Sequence, residues 1–235
     1  MKTAFTLLIV LISMNIQSQT GASLHYLVRE PKVKSPHAPV AILLHGVGSN
    51  EKDLFNLAAS FPDNFFVISA RGPLTLGPDR FGWFHVDFGS GKPVINFKEQ
   101  EDSRKLIAKF LGEMEAKYDF DEKNVFLCGF SQGGIMSYSV ALTNPGLIKG
   151  IAAMSGRLLP EIKPLVSLSD KHKNLSIFIS HGTEDNVLNV DFAREAKSWL
   201  ESKHFTPKYH EYTAGHQITQ PMLKDMLDWL SKTSQ

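Results

Sequence analysis

The chain has 235 residues, of which 43% are hydrophobic and 21% are charged, and this composition excludes a disordered protein. The length suits one α/β domain and is short for two domains with separate cores. Lys and Arg total 25 against 24 for Asp and Glu, and no basic run is interleaved with aromatic residues, so we expect no nucleic-acid partner.

The N-terminus has the layout of a secretory signal peptide. Lys2 precedes an apolar stretch over residues 4–14, and small and polar residues follow it. This stretch is too short to span a bilayer comfortably and no cysteine follows it, so we expect no stable membrane anchor. We predict cleavage after Ser18, Gln19 or Ala22, and therefore a periplasmic or secreted protein. The alternative is a buried first strand or helix.

Cys128 is the only cysteine, so the chain cannot form an intramolecular disulfide. A chain of this size can bury enough core to be exported without one. Cys128 lies in the apolar run "NVFLC", and we expect it to be a small buried hydrophobic side chain.

Short apolar runs recur along the chain and predict the strands of a mostly parallel sheet. Five of them are apolar on consecutive positions, as in strands that are covered on both faces. These five runs are 39–46, 64–70, 124–129, 150–156 and 175–182. The alternating segment 24–30 predicts an edge strand, and 208–213 predicts the last strand.

Amphipathic segments between these runs predict helices on both faces of the sheet. The segment 99–118 places six apolar side chains on one face, namely Leu106, Ile107, Phe110, Leu111, Met114 and Tyr118. Segments 190–203 and 218–232 are similar, and Pro221 fits the first turn of the latter. The alternation of strands and helices predicts a single-domain α/β fold with right-handed crossovers.

Two connecting segments are candidates for a substrate pocket. The segment 71–97 is rich in Gly, Pro and aromatic residues, and a loop of this length is usually functional. Its Trp83, Phe84 and Phe88 could wall an acyl or alcohol pocket, with core packing as the alternative. The segment 155–166 could form a flexible flap lined by Leu158 and Leu159.

The stretch "GFSQGG", residues 129–134, follows a buried strand and precedes the helical segment "IMSYSVALT". It fits the pattern G-x-S-x-G with Ser131 at its centre. In this context the pattern predicts a nucleophile elbow, a sharp turn that exposes the serine hydroxyl. The flanking glycines leave room for the neighbouring strand and helix, which a Cβ atom would occupy.

A serine hydroxyl needs a base to act as a nucleophile at neutral pH, and His216 is the best candidate. It lies in the loop "TAGHQI", between the last strand and the last helix, where sites of α/β folds collect. The other histidines that follow Ser131 have better explanations. His172 lies in a polar stretch, His181 and His210 belong to predicted strands, and His204 ends a predicted helix.

The acid that orients the base should follow a strand and precede the histidine. Asp185 does so in "HGTEDNVLNV", and the turn after it would aim the carboxylate over the strand ends. Glu184 is better explained as a solvated or helix-leading charge. Asp170 and Asp191 are better explained as surface or helix-cap residues.

Two backbone N–H groups are candidates for an oxyanion hole. One belongs to Gln132, the residue after the nucleophile, and the other to Val47 in the Gly-rich turn "LLHGVGSN". The alternative is that this turn only reverses the chain. We expect His45 to be structural, and we expect no metal and no cofactor, because no cluster has metal-ligand spacing and no loop matches a nucleotide motif.

The segments "LLHGVGSNEKDLFNLA", "ISARGP", "GFSQGG", "SHGTEDNVLNV" and "AGHQI" resemble, in order and spacing, the phospholipase/carboxylesterase family of α/β-hydrolases. This family includes the acyl-protein thioesterases. The resemblance covers residues from about 24 to the C-terminus and implies the same five site residues: Ser131, Asp185, His216, Val47 and Gln132. It implies an α/β-hydrolase domain over 24–235. The signal peptide that the charge and apolar pattern predicts over 1–20 lies outside the resemblance and departs from the mostly cytosolic members of the family.

We therefore expect a serine esterase that hydrolyses carboxylic esters of small or medium acyl chains through an acyl-enzyme. A thioesterase or a lysophospholipase would use the same chemistry. A binding protein that kept the fold and lost turnover is the alternative from another class. We expect a small-molecule ester as the partner, and a monomer or a homodimer.

Overall fold

The computed structural model describes residues 21–87 and 94–235. The predicted signal peptide over 1–20 and the aromatic side chain of Phe88 lie outside these residues. None of the helices in the described part of the chain combines the length and the apolar composition that crossing a membrane requires.

Seven strands form one sheet, and all of its neighbouring strands are parallel except the pair β1 and β3. The strands of the described residues are β1 (Tyr26–Arg29), β2 (Val40–Leu44), β3 (Phe66–Ala70), β4 (Leu74–Gly77), β5 (Arg80–Gly82), β6 (Val86–Asp87), β7 (Val94–Ile95), β8 (Val125–Phe130), β9 (Gly150–Met154), β10 (Ser176–Gly182) and β11 (Lys208–Tyr212). Their order across the sheet is β1-β3-β2-β8-β9-β10-β11. The seven predicted strands are thus present, and β1 lies at an edge as its alternation predicted.

The described residues also form five α-helices: α1 (Glu51–Phe55), α2 (Phe97–Lys117), α3 (Gln132–Thr143), α4 (Asp191–Ser202) and α5 (Gln220–Thr233). Side chains satisfy backbone N–H groups at three of the starts, where the N-cap residues Asn50, Asn96 and Thr219 accept hydrogen bonds. Pro221 lies in the first turn of α5, as the sequence predicted. The short helix α1 was not predicted, since five residues are too few to show a helical period.

The sheet is covered on both faces, which explains why its central strands are apolar at every position. In β2, Val40, Ile42 and Leu44 pack into one core cluster with residues of α2, α3 and α4. Ala41 and Leu43 point to the other face and pack with residues of α1 and α5. Cys128 is fully buried in this second cluster, as predicted, and burial raises the pKa of its thiol to about 12.

In their described residues, both connecting segments form contacts that their sequences did not predict. The segment 71–97 contains two short antiparallel pairs, β4 with β5 and β6 with β7. The segment 155–166 is held by Leu158, Leu159 and Ile162, which are 7%, 1% and 0% exposed, so it packs into the core instead of forming a loose flap.

Candidate active site

Ser131 occupies a strained turn between β8 and α3. Its backbone has φ 53° and ψ −116°, a region that a residue with a Cβ rarely adopts. The turn is held in place because the N–H of Ser131 donates to the carbonyl of Met154 at the end of β9, over 2.9 Å. The side chain therefore stands at the carboxyl edge of the sheet, at the start of a helix, as the G-x-S-x-G pattern predicted.

The glycines around Ser131 allow a very close approach of backbone segments. A Cβ atom on Gly129 would overlap the carbonyl of Gly133, and one on Gly133 would overlap the carbonyl of Leu44 in β2. Any larger residue at either position would push the strand and the helix apart. This close packing is the physical reason why a chain places glycines on both sides of this serine.

His216 joins Ser131 to Asp185 through two hydrogen bonds. Its Nδ1 lies 2.6 Å from Oδ2 of Asp185, and its Nε2 lies 2.9 Å from Oγ of Ser131. A carboxylate oxygen can only accept, so Nδ1 carries the proton and Nε2 accepts from the hydroxyl. The imidazole is thereby held in the tautomer that can take a proton from the serine. The Phe130 ring packs beside it, with ring centroids 4.9 Å apart.

The backbone around Asp185 fixes the direction of its carboxylate. Its Oδ1 accepts from the N–H groups of Val187 and Leu188, at 2.9 and 2.8 Å, which leaves Oδ2 for His216. The side chain is fully buried. The N–H of Glu184 donates to the carbonyl of Ala214 over 3.0 Å, and this bond ties the Asp185 loop to the loop of His216.

A second histidine, His181, supports the same carboxylate and was not assigned from the sequence. Its Nε2 donates to the carbonyl of Leu188 at 2.7 Å and lies 3.3 Å from Oδ2 of Asp185. The ring is fully buried, and burial lowers the pKa of this histidine, so it is neutral. Its place at the end of β10, four residues before Asp185, was the available signal.

The other candidates for base and acid lie away from Ser131 or in structural contacts. His172 is buried and bonds the carbonyl of Leu142 through Nε2, and the ring of His210 packs on Phe178. Glu184, Asp170 and Asp191 are exposed. These positions agree with the explanations that the sequence favoured for them, except that the polar stretch of His172 conceals a buried ring.

The backbone N–H groups of Val47 and Gln132 face no acceptor in the described part of the chain. Gln132 is the first residue of α3, where helix N–H groups lack intrahelical partners and favour negative charge. Val47 and Gln132 line the same cavity as Ser131. Two free donors therefore adjoin the cavity that contains the serine hydroxyl.

A network of buried side chains holds the turn that contains Val47. His45 is fully buried, its Nδ1 donates to the carbonyl of Gly46, and its Nε2 accepts from the N–H of Gly72. Burial lowers the pKa of His45, in keeping with a neutral ring that uses both nitrogens. The indole N–H of Trp83 donates to the carbonyl of His45 over 3.0 Å. His45 is structural, as the sequence indicated.

The side chain of Gln132 fixes the aromatic segment 83–84 beside the serine. Its Oε1 accepts from the N–H of Trp83 and its Nε2 donates to the carbonyl of Phe84, both at 2.7 Å. This pair of bonds was not foreseen, because the sequence indicated only a backbone role for Gln132. It makes one residue responsible both for a donor near Ser131 and for the wall of the cavity.

A small cavity of about 60 Å³ opens beside Ser131. Its walls in the described residues are apolar apart from Ser131, Gln132 and Arg157, and the apolar lining residues are Val47, Phe84, Val86, Ile95, Ile135, Val187 and Leu188. Cavities that bind drug-sized ligands span roughly 300–1,000 Å³, so this space suits a short group.

Four side chains predicted to line a substrate pocket lie in the described residues, namely Trp83, Phe84, Leu158 and Leu159, and of these only Phe84 lines this cavity. Trp83 is fully buried and packs on His45 with ring centroids 5.5 Å apart, so core packing explains it instead. Leu158 packs into the core cluster beside α3. Its neighbour Arg157 reaches the cavity and was missed, because a loop without periodicity gives no sign of which side chain points inward.

Comparison with known proteins identifies the family of this chain. A model described as phospholipase/carboxylesterase matches residues 27–234. The chain belongs to this family. It is therefore an esterase of the α/β-hydrolase fold, and members of the family act on small-molecule substrates.

Two relatives illustrate the range of the family. The chain is 24% identical over 225 residues to acyl-protein thioesterase 1 of Kluyveromyces lactis, which covers 87% of this chain and 96% of that protein. It is 27% identical over 208 residues to carboxylesterase SOBER1 of Arabidopsis thaliana, covering 80% of this chain and 88% of that protein.

A solved structure shares the fold of this chain. The crystal structure of the Bacillus cereus carboxylesterase superposes with a TM-score of 0.77 at 26% identity, and the match covers 89% of this chain and 94% of that one. The mostly parallel sheet with helices on both faces is therefore the fold of an esterase, as the sequence predicted.

Proposed function

We propose that the protein is a serine carboxylic-ester hydrolase in which Ser131 is the nucleophile, His216 the general base and Asp185 the group that orients His216. The observation that carries the proposal is the unbroken chain of hydrogen bonds from the hydroxyl through the imidazole to the buried carboxylate, at 2.9 and 2.6 Å. This arrangement makes a weakly nucleophilic alcohol reactive.

The reaction follows from the direction of these bonds. Oγ of Ser131 attacks the ester carbonyl carbon, and its proton passes to Nε2 of His216. The N–H groups of Val47 and Gln132 stabilise the negative oxygen of the tetrahedral intermediate, and each such donor contributes about 3 kcal/mol to transition-state stabilisation in related chemistry. His216 then protonates the leaving alcohol, and an acyl-enzyme remains.

Water completes the cycle by the same route in reverse. His216 takes a proton from a water molecule, the hydroxide attacks the acyl-enzyme, and Ser131 recovers its proton as the carboxylic acid leaves. Asp185 keeps its charge throughout and stabilises the imidazolium formed in each half of the cycle. The cavity of about 60 Å³ favours a short group next to the carbonyl.

Thioester hydrolysis is the second candidate, because a relative named acyl-protein thioesterase 1 matches 87% of this chain. A lysophospholipase would also use these residues. Rates on 4-nitrophenyl esters of increasing acyl length, beside one thioester and one lysophospholipid, separate these substrates. We expect the highest kcat/KM on short to medium esters, and a preference for the thioester or the lysophospholipid would replace that assignment.

The alternative from another class is a binding protein without turnover. His216→Gln tests this, since it removes the base and leaves a polar side chain. We expect kcat to fall by several orders of magnitude. A wild-type protein that hydrolyses none of these esters would instead favour the binding protein.

We also propose that the mature protein is periplasmic or secreted. The support is the charge and apolar pattern of residues 1–20. N-terminal sequencing of the mature protein from its own host tests this, and we expect the first residue to be Gln19, Thr20 or Ser23. A mature protein that begins at Met1 or Lys2 would contradict export by cleavage.

A further inference from the structure

Arg157 is a cation in the wall of the cavity that contains Ser131. It follows β9 at the carboxyl edge of the sheet, two residues after Ser155 and one after Gly156, both of which are buried. Gly156 packs directly on Gly134 of α3, which fixes this turn against the helix that begins after Ser131. The side chain reaches the same cavity as Gln132, Ile135 and Leu188.

In the described part of the chain, no acidic side chain pairs with this cation. All 24 acidic residues lie in the described part of the chain, and none of them forms an ion pair with Arg157. The Nε atom of Arg157 is buried and has no hydrogen-bond partner among the described residues. Glu161 is exposed and acts on it only through long-range attraction. The contact that positions the guanidinium is the ring of Phe192, with Cζ 5.3 Å from the ring centroid.

Other arginines that are removed from water have partners. Arg29 donates to three carbonyl oxygens at 2.9 to 3.2 Å, and Arg71 binds the carboxylate of Glu51 with two bonds of 2.6 Å. Arg104 binds Glu101 in the same two-pronged way. Arg157 thus differs from these three arginines, and it lines the cavity that also contains the proposed nucleophile.

Arg157 is only partly buried, and a charge that is partly removed from water without a partner costs free energy. A ligand that pairs with it recovers part of that cost. Partial burial also lowers the pKa of Arg157, because it disfavours the charged form of the guanidinium. Apart from Ser131 and Gln132 the remaining lining residues are apolar, so the charge of Arg157 is the feature that would select among short esters. A carboxylate matches the planar guanidinium with two parallel hydrogen bonds.

We propose that the cavity beside Ser131 takes a short ester that also carries a carboxylate, and that Arg157 binds this carboxylate. The proposal rests on the proposed function, since it names the substrate class of the same site. The hydrolysed bond is the ester, and the carboxylate on Arg157 is a second group that takes no part in the reaction.

Binding to the Ser131→Ala variant tests the proposal without turnover. The ligands form two matched pairs: monoethyl succinate against ethyl succinamate, and 3-acetoxypropanoate against 3-acetoxypropanamide. Within each pair the two ligands differ only in having a carboxylate or a neutral amide. This group lies on the acyl side of the ester in the first pair and on the alcohol side in the second. We expect calorimetry to show about 10-fold to 100-fold tighter binding of the acid in at least one pair, as for a hydrogen-bonded charge pair.

Variants at Arg157 show whether this residue causes the preference for the acid over the amide. In the Ser131→Ala background, Arg157→Gln should remove the preference for the acid and Arg157→Lys should keep part of it. Arg194→Gln removes a charge from an exposed ion pair with Glu211 and should leave the preference unchanged. Equal affinity for acid and amide in both pairs would overturn the proposal, whichever ester the wild-type protein hydrolyses. Failure of the wild type to hydrolyse any ester would contradict the proposed function instead.

Discussion

The imidazole of His216 lies 2.9 Å from the hydroxyl of Ser131, although 85 positions separate the two residues in the chain. The parallel sheet creates this contact. Ser131 follows β8 and His216 follows β11, and all the strands between them end at the same edge. The loops that follow parallel strands therefore meet, and residues far apart in sequence form one site.

Replacement of Ser131 tests the nucleophile. We expect Ser131→Ala to lower kcat on an activated ester by several orders of magnitude, with an unchanged circular dichroism spectrum. Ser139→Ala is a matched control in α3, because its hydroxyl bonds only the carbonyl of Ile135 in the preceding turn. Near-normal activity of Ser131→Ala would point to another nucleophile.

Replacement of Asp185 tests the orienting acid. Asp185→Asn keeps an oxygen for the N–H groups of Val187 and Leu188 but offers His216 an amide, which favours the wrong tautomer. We expect kcat to fall by about 10³-fold to 10⁴-fold. Glu184→Gln, one residue earlier and exposed, should change kcat little. Equal losses in the two variants would contradict the role of Asp185.

The turn around Ser131 should tolerate no side chain at Gly133. A Cβ there would overlap the carbonyl of Leu44, so Gly133→Ala should lower the free energy of unfolding by at least about 3 kcal/mol. Gly112 lies in α2 with open space around it, and Gly112→Ala should raise stability by up to about 1 kcal/mol. Urea denaturation measures both values. Similar stability of the two variants would contradict the close packing of β2 and α3.

The buried ring of His45 should make stability depend on pH. Burial lowers its pKa in the fold, whereas the unfolded chain takes up a proton near the ordinary histidine value of about 6.5. The unfolded state thus binds more protons, so the contribution of His45 is complete above about pH 6.5 and is lost as the pH falls towards its lower value in the fold.

Denaturant unfolding at a series of pH values from 8 to 5 tests this dependence. The free energy of unfolding should fall with acidity in the wild type and fall less steeply in His45→Gln, which has no ring to protonate. His37→Gln is the control, because His37 is exposed. An identical slope in wild type and His45→Gln would show that this ring is not kept neutral by the fold.

The sequence predicted the central sheet well because its strands are buried on both faces. The run "PVAILLHG" has no polar position before its end, and β2 (Val40–Leu44) is buried throughout. The pairs β4–β5 and β6–β7 were missed for the opposite reason. Their residues are mostly half-buried or exposed and lie among Gly and Pro, so no alternating pattern marks them.

The candidate site was predictable where backbone geometry dictates residue type. Ser131 between glycines, and Asp185 and His216 after strands, follow from the shape of the turns and the edge of the sheet. The sequence left the role of Trp83 open between pocket and core, and it gave no sign of Arg157, because long-range packing decides which side chain of a loop reaches the cavity. Nothing near Trp83 in the sequence indicates that its indole N–H meets the carbonyl of His45.

The most direct test of the account is the covalent labelling of the wild-type protein with a fluorophosphonate, followed by mass spectrometry of its peptides. We expect one adduct, on Ser131, that forms far more slowly in His216→Gln. A protein without an adduct, or one labelled equally fast with His216 replaced, would contradict the claim that this histidine makes Ser131 a nucleophile.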